Sequence, residues 1–368
     1  MTPRKHQIPW WMPQLGDTER TLVDEVFDIN FLNDGEYTRR FEQQLAERLG
    51  CKHAVAVTSG TAALFLAMKG LGIGHGDEVI VPDVTFIASA NAVTMTGATP
   101  VLVDMDEATF QIDPALARNA ITPRTKAIMP VHVSGRSADM PAILQLANAH
   151  NLSVVEDAAE ALMSSRHGKY LGTHGNAGIF SFSPNKTITT GQGGAVVTDD
   201  DELHTAVLQL KDQGRPVRGT GGDDQHPVVG FNFKLTNMQA AVGLGQLGYL
   251  DHRIERMRLI YEQYKSELDS CSAIRFPGFN VSDGEVPQWT DIVVDRRAEL
   301  VADLSAAGID TRNYWHALHT QPPYKKPDDE FPVASRTIPR AMWLPSAFTL
   351  TESDVSKVSE QVRRFYDG

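Results

Sequence analysis

The chain has 368 residues, 42% hydrophobic and 22% charged, enough for one large domain and a smaller one. Its net charge of −12 argues against nucleic acid or an anionic membrane surface as the main partner, so a phosphate-bearing ligand must be held by local donors. The two cysteines, Cys51 and Cys271, have no metal or redox spacing, and no segment reads as a signal peptide or membrane span; a cytoplasmic location is the expectation.

In chain order, seven short apolar runs lie between residues 50 and 200: HAVAV (53–57), EVIVP (78–82), TPVLVD (99–104), KAIMPVHV (126–133), LSVVED (152–157), GIFSFS (178–183) and GAVVTD (194–199). They are near-continuously apolar, the pattern of strands covered on both faces. Helix candidates at 61–72, 139–150 and 201–212 separate some of them, and this alternation predicts an α/β fold around a mostly parallel, doubly wound sheet. Ligands of such a sheet sit beyond the carboxyl ends of its strands. Further on, Leu247, Leu250, Ile254, Met257, Tyr261, Tyr264 and Leu268 form one stripe at helical spacing, predicting a long helix that leaves the large domain. Turn-rich RFPGFNVSDGEVPQ (275–288) marks a boundary region before a smaller α+β domain. The expected division is 16–250 for the large domain and 251–368 for the small one, with the arm 1–15 packing on the latter.

Three signals carry chemistry. TSGTAAL (58–64) follows a strand and opens a helix, so Ser59, Gly60 and Thr61 offer hydroxyls and free amides either to an ordinary helix cap or to a phosphate. In VVEDAAEA (154–161), Asp157 ends a buried strand, where it either caps the next helix or faces a cationic ring nitrogen. Lys186, in FSFSPNKTITTGQGG (180–194), reaches the same edge of the sheet; it is either a solvated loop lysine or an amine able to form a Schiff base with an aldehyde. Together, phosphate donors, a carboxylate and an amine in this order match the needs of pyridoxal 5′-phosphate.

Over nearly its whole length the chain resembles the DegT/DnrJ/EryC1/StrS aminotransferases. The resemblance is carried by SGTAALFLAMKGLGIGHGDEVIVPDVTFIASANAV, PVLVDMDEATFQID, ITPRTKAIMPVH, VVEDAAEA, FSFSPNKTITTGQGGAVVT and VGFNFKLTNMQAAVGLGQL. It implies an aspartate-aminotransferase-like fold with a seven-stranded sheet and pyridoxal phosphate bound in the large domain. It also implies roles: Lys186 as Schiff-base lysine and proton shuttle, Asp157 facing the pyridine nitrogen, Phe86 and Ala159 on the two ring faces, and Glu160 near the ring hydroxyl. Gly60, Thr61 and Ser181 would hold the phosphate, Asn232 would reach the phosphate of the neighbouring subunit in a homodimer, and His319 would touch the sugar.

Two positions depart from the pattern of many relatives, which carry glutamate at Gln192 and glutamine at Glu160. Members with histidine in place of the lysine are dehydratases, and Lys186 argues against that branch. The activity implied is transfer of an amino group from L-glutamate to a nucleotide-linked keto-deoxysugar in amino-sugar or surface-polysaccharide (O-antigen) synthesis. Within the family ITPRTKAIMPVH, NKTITTG and VGFNF are most similar to perosamine synthases, implying a GDP-linked 4-keto-6-deoxy sugar. The enzymatic alternative is a dTDP- or UDP-linked 3- or 4-keto sugar. A non-catalytic binding protein on the same fold is the rival from another class, and intact Lys186 and Asp157 speak against it. Sugar contacts are expected from loops 218–227 and 312–324.

Overall fold

The computed structural model describes residues 7–217 and 224–367. All seven apolar runs are strands: β1 (His53–Val57), β2 (Glu78–Pro82), β3 (Thr99–Val103), β4 (Thr125–Ile128), β5 (Ser153–Asp157), β8 (Ala177–Ser181) and β9 (Gly194–Thr198), with a small hairpin β6 (Ser165–Arg166) and β7 (Lys169–Tyr170) between the fifth and sixth. They make one sheet in the order β1-β9-β8-β5-β4-β2-β3. β3, β2, β4, β5 and β8 pair in parallel, while β9 runs antiparallel to both β8 and β1. Six strands therefore point one way, and the start of β9 joins their carboxyl ends on one edge.

The apolar runs have the expected cause. Alternate residues of β1 enter different cores: Val55 and Val57 pack with helix α3 (Gly60–Gly70), Ala54 and Ala56 with α2 (Glu36–Leu49) and α8 (Asn237–Leu247). Ile80, Ile128 and Val154 face a further cluster with α5 (Pro114–Asn119) and α6 (Met140–His150). Local signals set the helix starts. Asp113, Asp139 and Asp200 cap α5, α6 and α7 (Asp201–Lys211), and Thr236 with Gln239 forms a capping box on α8. The remaining elements of this part are α1 (Asp17–Asp28) and α4 (Ala88–Thr96).

The stripe 247–268 is not one helix. Leu247 ends α8, the chain turns tightly at Gly248 with its N–H on the Gly245 carbonyl, and α9 (Leu250–Leu268) begins after Tyr249. Gly245 permits close packing of α1, since a Cβ there would meet the Glu19 side chain at 2.7 Å. The hydrophobic face continues through the break, with Leu250, Ile254 and Met257 in the core under the large sheet and Tyr264 and Leu268 in a second core.

That second core lies against a four-stranded sheet, β10 (Ile274–Arg275), β11 (Asp291–Val294), β12 (Arg312–Asn313) and β13 (Ala341–Trp343), in the antiparallel order β10-β11-β13-β12. Helices α10 (Arg297–Ala306) and α12 (Glu352–Asp367) cover one face with Leu300, Leu304, Val355, Val358 and Val362; α11 (Pro332–Thr337) lies nearer the large sheet. The other face presents Val293 and Trp343 toward the large sheet. Ile8 of the N-terminal arm bridges to Ile309, while residues 1–6 lie outside the described residues, as do 218–223 of the loop expected to touch the sugar. Among the described residues, no helix is long and apolar enough to cross a membrane.

Candidate active site

The site follows from the strand directions. β1 delivers Ser59 and the start of α3, β2 leads to Phe86, β5 ends at Asp157, β8 ends at Ser181, and the loop before β9 carries Lys186. Ser59, Gly60, Thr61, Phe86, Asp157, Ala159, Glu160, Ser181 and Lys186 all line one cavity of about 500 Å3. The structure thus brings together nine of the eleven residues singled out in the sequence.

Ser59 caps α3 through its hydroxyl, which accepts the Ala62 N–H at 3.1 Å, the cap reading of TSGTAAL. The amides of Gly60 and Thr61 are in the first helical turn, where backbone geometry supplies no partner within the helix. This end is a cradle kept open by absent side chains. A Cβ on Gly194 would meet the backbone of Ser59 and Gly60 at 2.5 Å, and one on Gly60 would meet the Ser181 Cβ at 3.0 Å. Amides, the Thr61 and Ser181 hydroxyls and the helix dipole suit a phosphate.

Adjacent carboxylates in VVED point opposite ways, as strand alternation requires. Glu156 is sealed and accepts the N–H groups of Gly172, His174 and Gly175. His132 Nδ1 accepts the Ala138 N–H at 3.2 Å, so Nε2 carries the proton given to Glu156 at 2.9 Å. Burial pushes the Glu156 carboxyl up, but these donors outweigh it and hold it below its ordinary value. Asp157 instead faces the cavity. It accepts Ser89 Oγ at 2.8 Å and the Ala159 N–H at 3.2 Å, and Thr85 Oγ1 lies 2.8 Å from Ser89 Oγ behind it. Burial raises its pKa, opposed by the Ser89 and Ala159 hydrogen bonds and by the nearby Lys186 charge.

Lys186 is no solvated loop lysine. Its side chain is only 12% exposed; Nζ donates to Glu160 Oε1 at 3.1 Å and lies 5.0 Å from the Trp289 ring centroid. The second Glu160 oxygen accepts the Ser134 N–H at 2.9 Å. Ser134 achieves this with φ of 55°, a left-handed conformation uncommon for serine, while its hydroxyl donates to Asp291 and accepts from Trp343 Nε1. Burial raises the Glu160 pKa and Lys186 opposes the rise. Phe86 is 51% exposed at the cavity, 6.3 Å from Trp315 between centroids, so it is a ring offered to a ligand and not part of the core.

Two expected residues lie elsewhere. His319 is sealed: Nδ1 pairs with Asp83 at 2.6 Å, Nε2 with Ser335 Oγ at 3.1 Å, and the ring stacks on Phe331 at 4.6 Å. Both nitrogens are engaged, and it does not line the cavity. Asn232 is exposed, on a bridge with Asp212, outside the cavity of its own chain. Conversely, Thr85 and Trp289 line the cavity without having been singled out, while Arg312 and Trp315 reach it from the 312–324 stretch expected to serve the sugar. Thr85 and Ser89 flank Phe86 in DVTFIAS, a signal that was readable; Trp289 comes from the far part of the chain.

What this edge assembles is the set of groups that pyridoxal phosphate requires: an amide-lined anion cradle, a buried carboxylate, and a sequestered amine. With this fold, that set defines an aminotransferase of the pyridoxal-phosphate class. The model of the DegT/DnrJ/EryC1/StrS aminotransferase family matches residues 13–363, and the chain belongs to that family, whose enzymes use pyridoxal phosphate. Over 358 residues it is 42% identical to GDP-perosamine synthase of Caulobacter vibrioides, covering 94% of this chain and 95% of the relative. DesV of S. venezuelae, solved in complex with a ketimine intermediate, is 37% identical with a TM-score of 0.90, covering 95% and 94%. The sugar aminotransferase Spr1654 of Streptococcus pneumoniae, described as putative and solved in its PLP form, has a TM-score of 0.92 at 26% identity, with 98% of both chains covered.

Proposed function

We propose that this enzyme moves the amino group of L-glutamate to the keto carbon of a nucleotide-linked deoxysugar, a GDP-linked 4-keto-6-deoxyhexose. The observation that carries the reading is the convergence of Lys186, Asp157 and the amide end of α3 on one cavity. The similarity to GDP-perosamine synthase supports the choice of sugar.

Gly60, Thr61 and Ser181 would hold the cofactor phosphate, Phe86 and Ala159 would enclose its ring, and Asp157 would face the ring nitrogen. Bound there, pyridoxal phosphate supplies an electron sink for the carbon losing a proton. Lys186 Nζ would be the amine that holds the cofactor and would carry the proton during transfer. Glu160 holds that ammonium at 3.1 Å and limits where Nζ swings. Asp157, whose pKa burial raises, would gain a charge partner in a cationic ring nitrogen. Trp289 and Trp315 wall the cavity and help exclude water from the proton path.

The working unit in this reading is a cytoplasmic homodimer, with cofactor chemistry in residues 16–250 and closure from 251–368. Exposed Phe27, Ile29, Phe31 and Leu32 support a second copy as their cover, and exposed Asn232 is free to serve the neighbouring site. The test is incubation of the cofactor-loaded enzyme with L-glutamate and a panel of GDP-, dTDP- and UDP-linked keto sugars, scored by mass spectrometry. An amino sugar from the GDP-linked substrate is expected. A dTDP- or UDP-linked product would replace the sugar assignment, and no amino sugar from any member would refute the reading.

A further inference from the structure

Lys186 ends a tight turn. Its N–H bonds the Ser183 carbonyl at 3.0 Å, with Pro184 at the first corner, where a fixed φ suits the bend. That bond leaves the carbonyls of Pro184, Asn185 and Thr187 to other donors, and none of those donors lies on a strand of the large sheet. The Trp11 indole N–H donates to the Pro184 carbonyl at 3.0 Å, across 173 positions of sequence. Gln288 Nε2 contacts the Asn185 carbonyl at 3.5 Å, while its Oε1 accepts Thr187 Oγ1 at 3.2 Å. Buried Arg253 donates to the Thr187 carbonyl at 3.1 Å and, through its other terminal nitrogen, to the Gln14 carbonyl at 3.0 Å. The arm thus reaches the lysine turn twice, directly through Trp11 and by way of Arg253.

The arm is itself anchored beside the second sheet. Ile8 bridges to Ile309, the Trp10 N–H contacts Asp310 at 3.4 Å, and the Trp10 carbonyl accepts the Ser346 N–H at 2.9 Å. Trp10 packs on Trp289 and Trp343, at 5.5 and 6.2 Å between centroids, and Trp11 meets Phe348 edge-on at 5.5 Å. Water would satisfy a turn carbonyl equally well, but a ring held by such contacts fixes it in one place. What the turn carries is the amine, and misplacing a reacting group by about 1 Å costs as much as about hundredfold in rate. We propose that Trp11 is a positioning residue: its N–H holds the lysine turn so that Nζ stays between Glu160 and Trp289. The assignment rests on the reading of Lys186 given above and adds a residue outside the cavity lining, which acts on the reaction through the turn alone.

The test compares wild type with Trp11→Phe, which keeps an aromatic ring against Phe348 and removes the donor. Cofactor-free protein is labelled with trace acetic anhydride from neutral to alkaline pH. Acetylation of Lys186 is read by peptide mass spectrometry against Lys357, exposed on α12, in the same digest. The variant should label Lys186 about fivefold to tenfold faster, since its amine is no longer held out of solvent, with Lys357 unchanged. Cofactor-loaded, it should lose about tenfold in kcat with L-glutamate at an unchanged KM. Trp11→Leu, which also gives up the edge contact with Phe348, should label at the rate of the phenylalanine variant. Unchanged Lys186 labelling in Trp11→Phe would overturn the proposal. So would fast labelling confined to Trp11→Leu, because packing and not the N–H would then hold the turn. Cofactor uptake at Lys186 by wild type is read separately. Its absence would count against the reading of Lys186 and not against the hold on its turn, which the cofactor-free labelling measures.

Discussion

The catalytic edge of the large sheet and the core beneath the second sheet are built on opposite terms. The second core is Tyr264, Leu268, Ile292, Val294, Leu300, Leu304 and their neighbours, apolar contact that stabilises the fold in proportion to area buried. The catalytic edge instead desolvates Asp157 and Glu160, holds Ser134 at positive φ and gives the Arg312 guanidinium no acceptor among the described residues. Each of those features costs stability in the free protein, and in the proposed function Asp157 and Glu160 would gain partners when the cofactor is bound. The lesson is that stability and chemistry are separable here, residue by residue.

The sharpest test of that separation is Lys186→Ala, which should lower turnover by about 10^3-fold or more while the protein still folds, as judged by circular dichroism. Its counterpart is Leu300→Ala in the second core. This cavity should cost about 2–5 kcal/mol in denaturant unfolding, with cofactor uptake below the transition unchanged.

Asp157→Asn mixes the two terms with opposite signs. Cofactor affinity, measured by titration, should weaken by about tenfold to hundredfold with loss of the charged contact. The cofactor-free variant should be no less stable than wild type at neutral pH. A carboxyl with a raised folded pKa contributes stability below its unfolded value and loses that contribution as pH rises through the folded one. Wild type therefore bears the cost of a desolvated carboxylate at neutral pH, and the stability difference should close as the pH falls. Ser89→Ala is the mildest change, removing one donor to Asp157. About a fivefold loss in cofactor affinity is expected, and an equal loss on an Asp157→Asn background would show that the two do not act together.

The strands were legible because covering both faces leaves a run of apolar residues with no polar alternation to misread. The helix break at Gly248 was not, because the apolar spacing of 247–268 continues across it. In the site, Asp157, Lys186 and the start of α3 were readable because each ends or follows a strand on the same edge. Trp289 was not, since it comes across from more than a hundred residues away in sequence, whereas Arg312 and Trp315 belong to a stretch expected at the site without its geometry. His319 was misplaced for a related reason. It lies close in sequence to two cavity residues, but Asp83 captures its ring and turns it into the interior.

The most direct test of the central claim is borohydride reduction of the cofactor-loaded protein followed by peptide mass mapping, with and without prior L-glutamate. The account predicts the cofactor mass on the peptide containing Lys186, and its disappearance when glutamate is added first, because the lysine is then released. A stable adduct on another lysine, or no cofactor on any peptide, would contradict it.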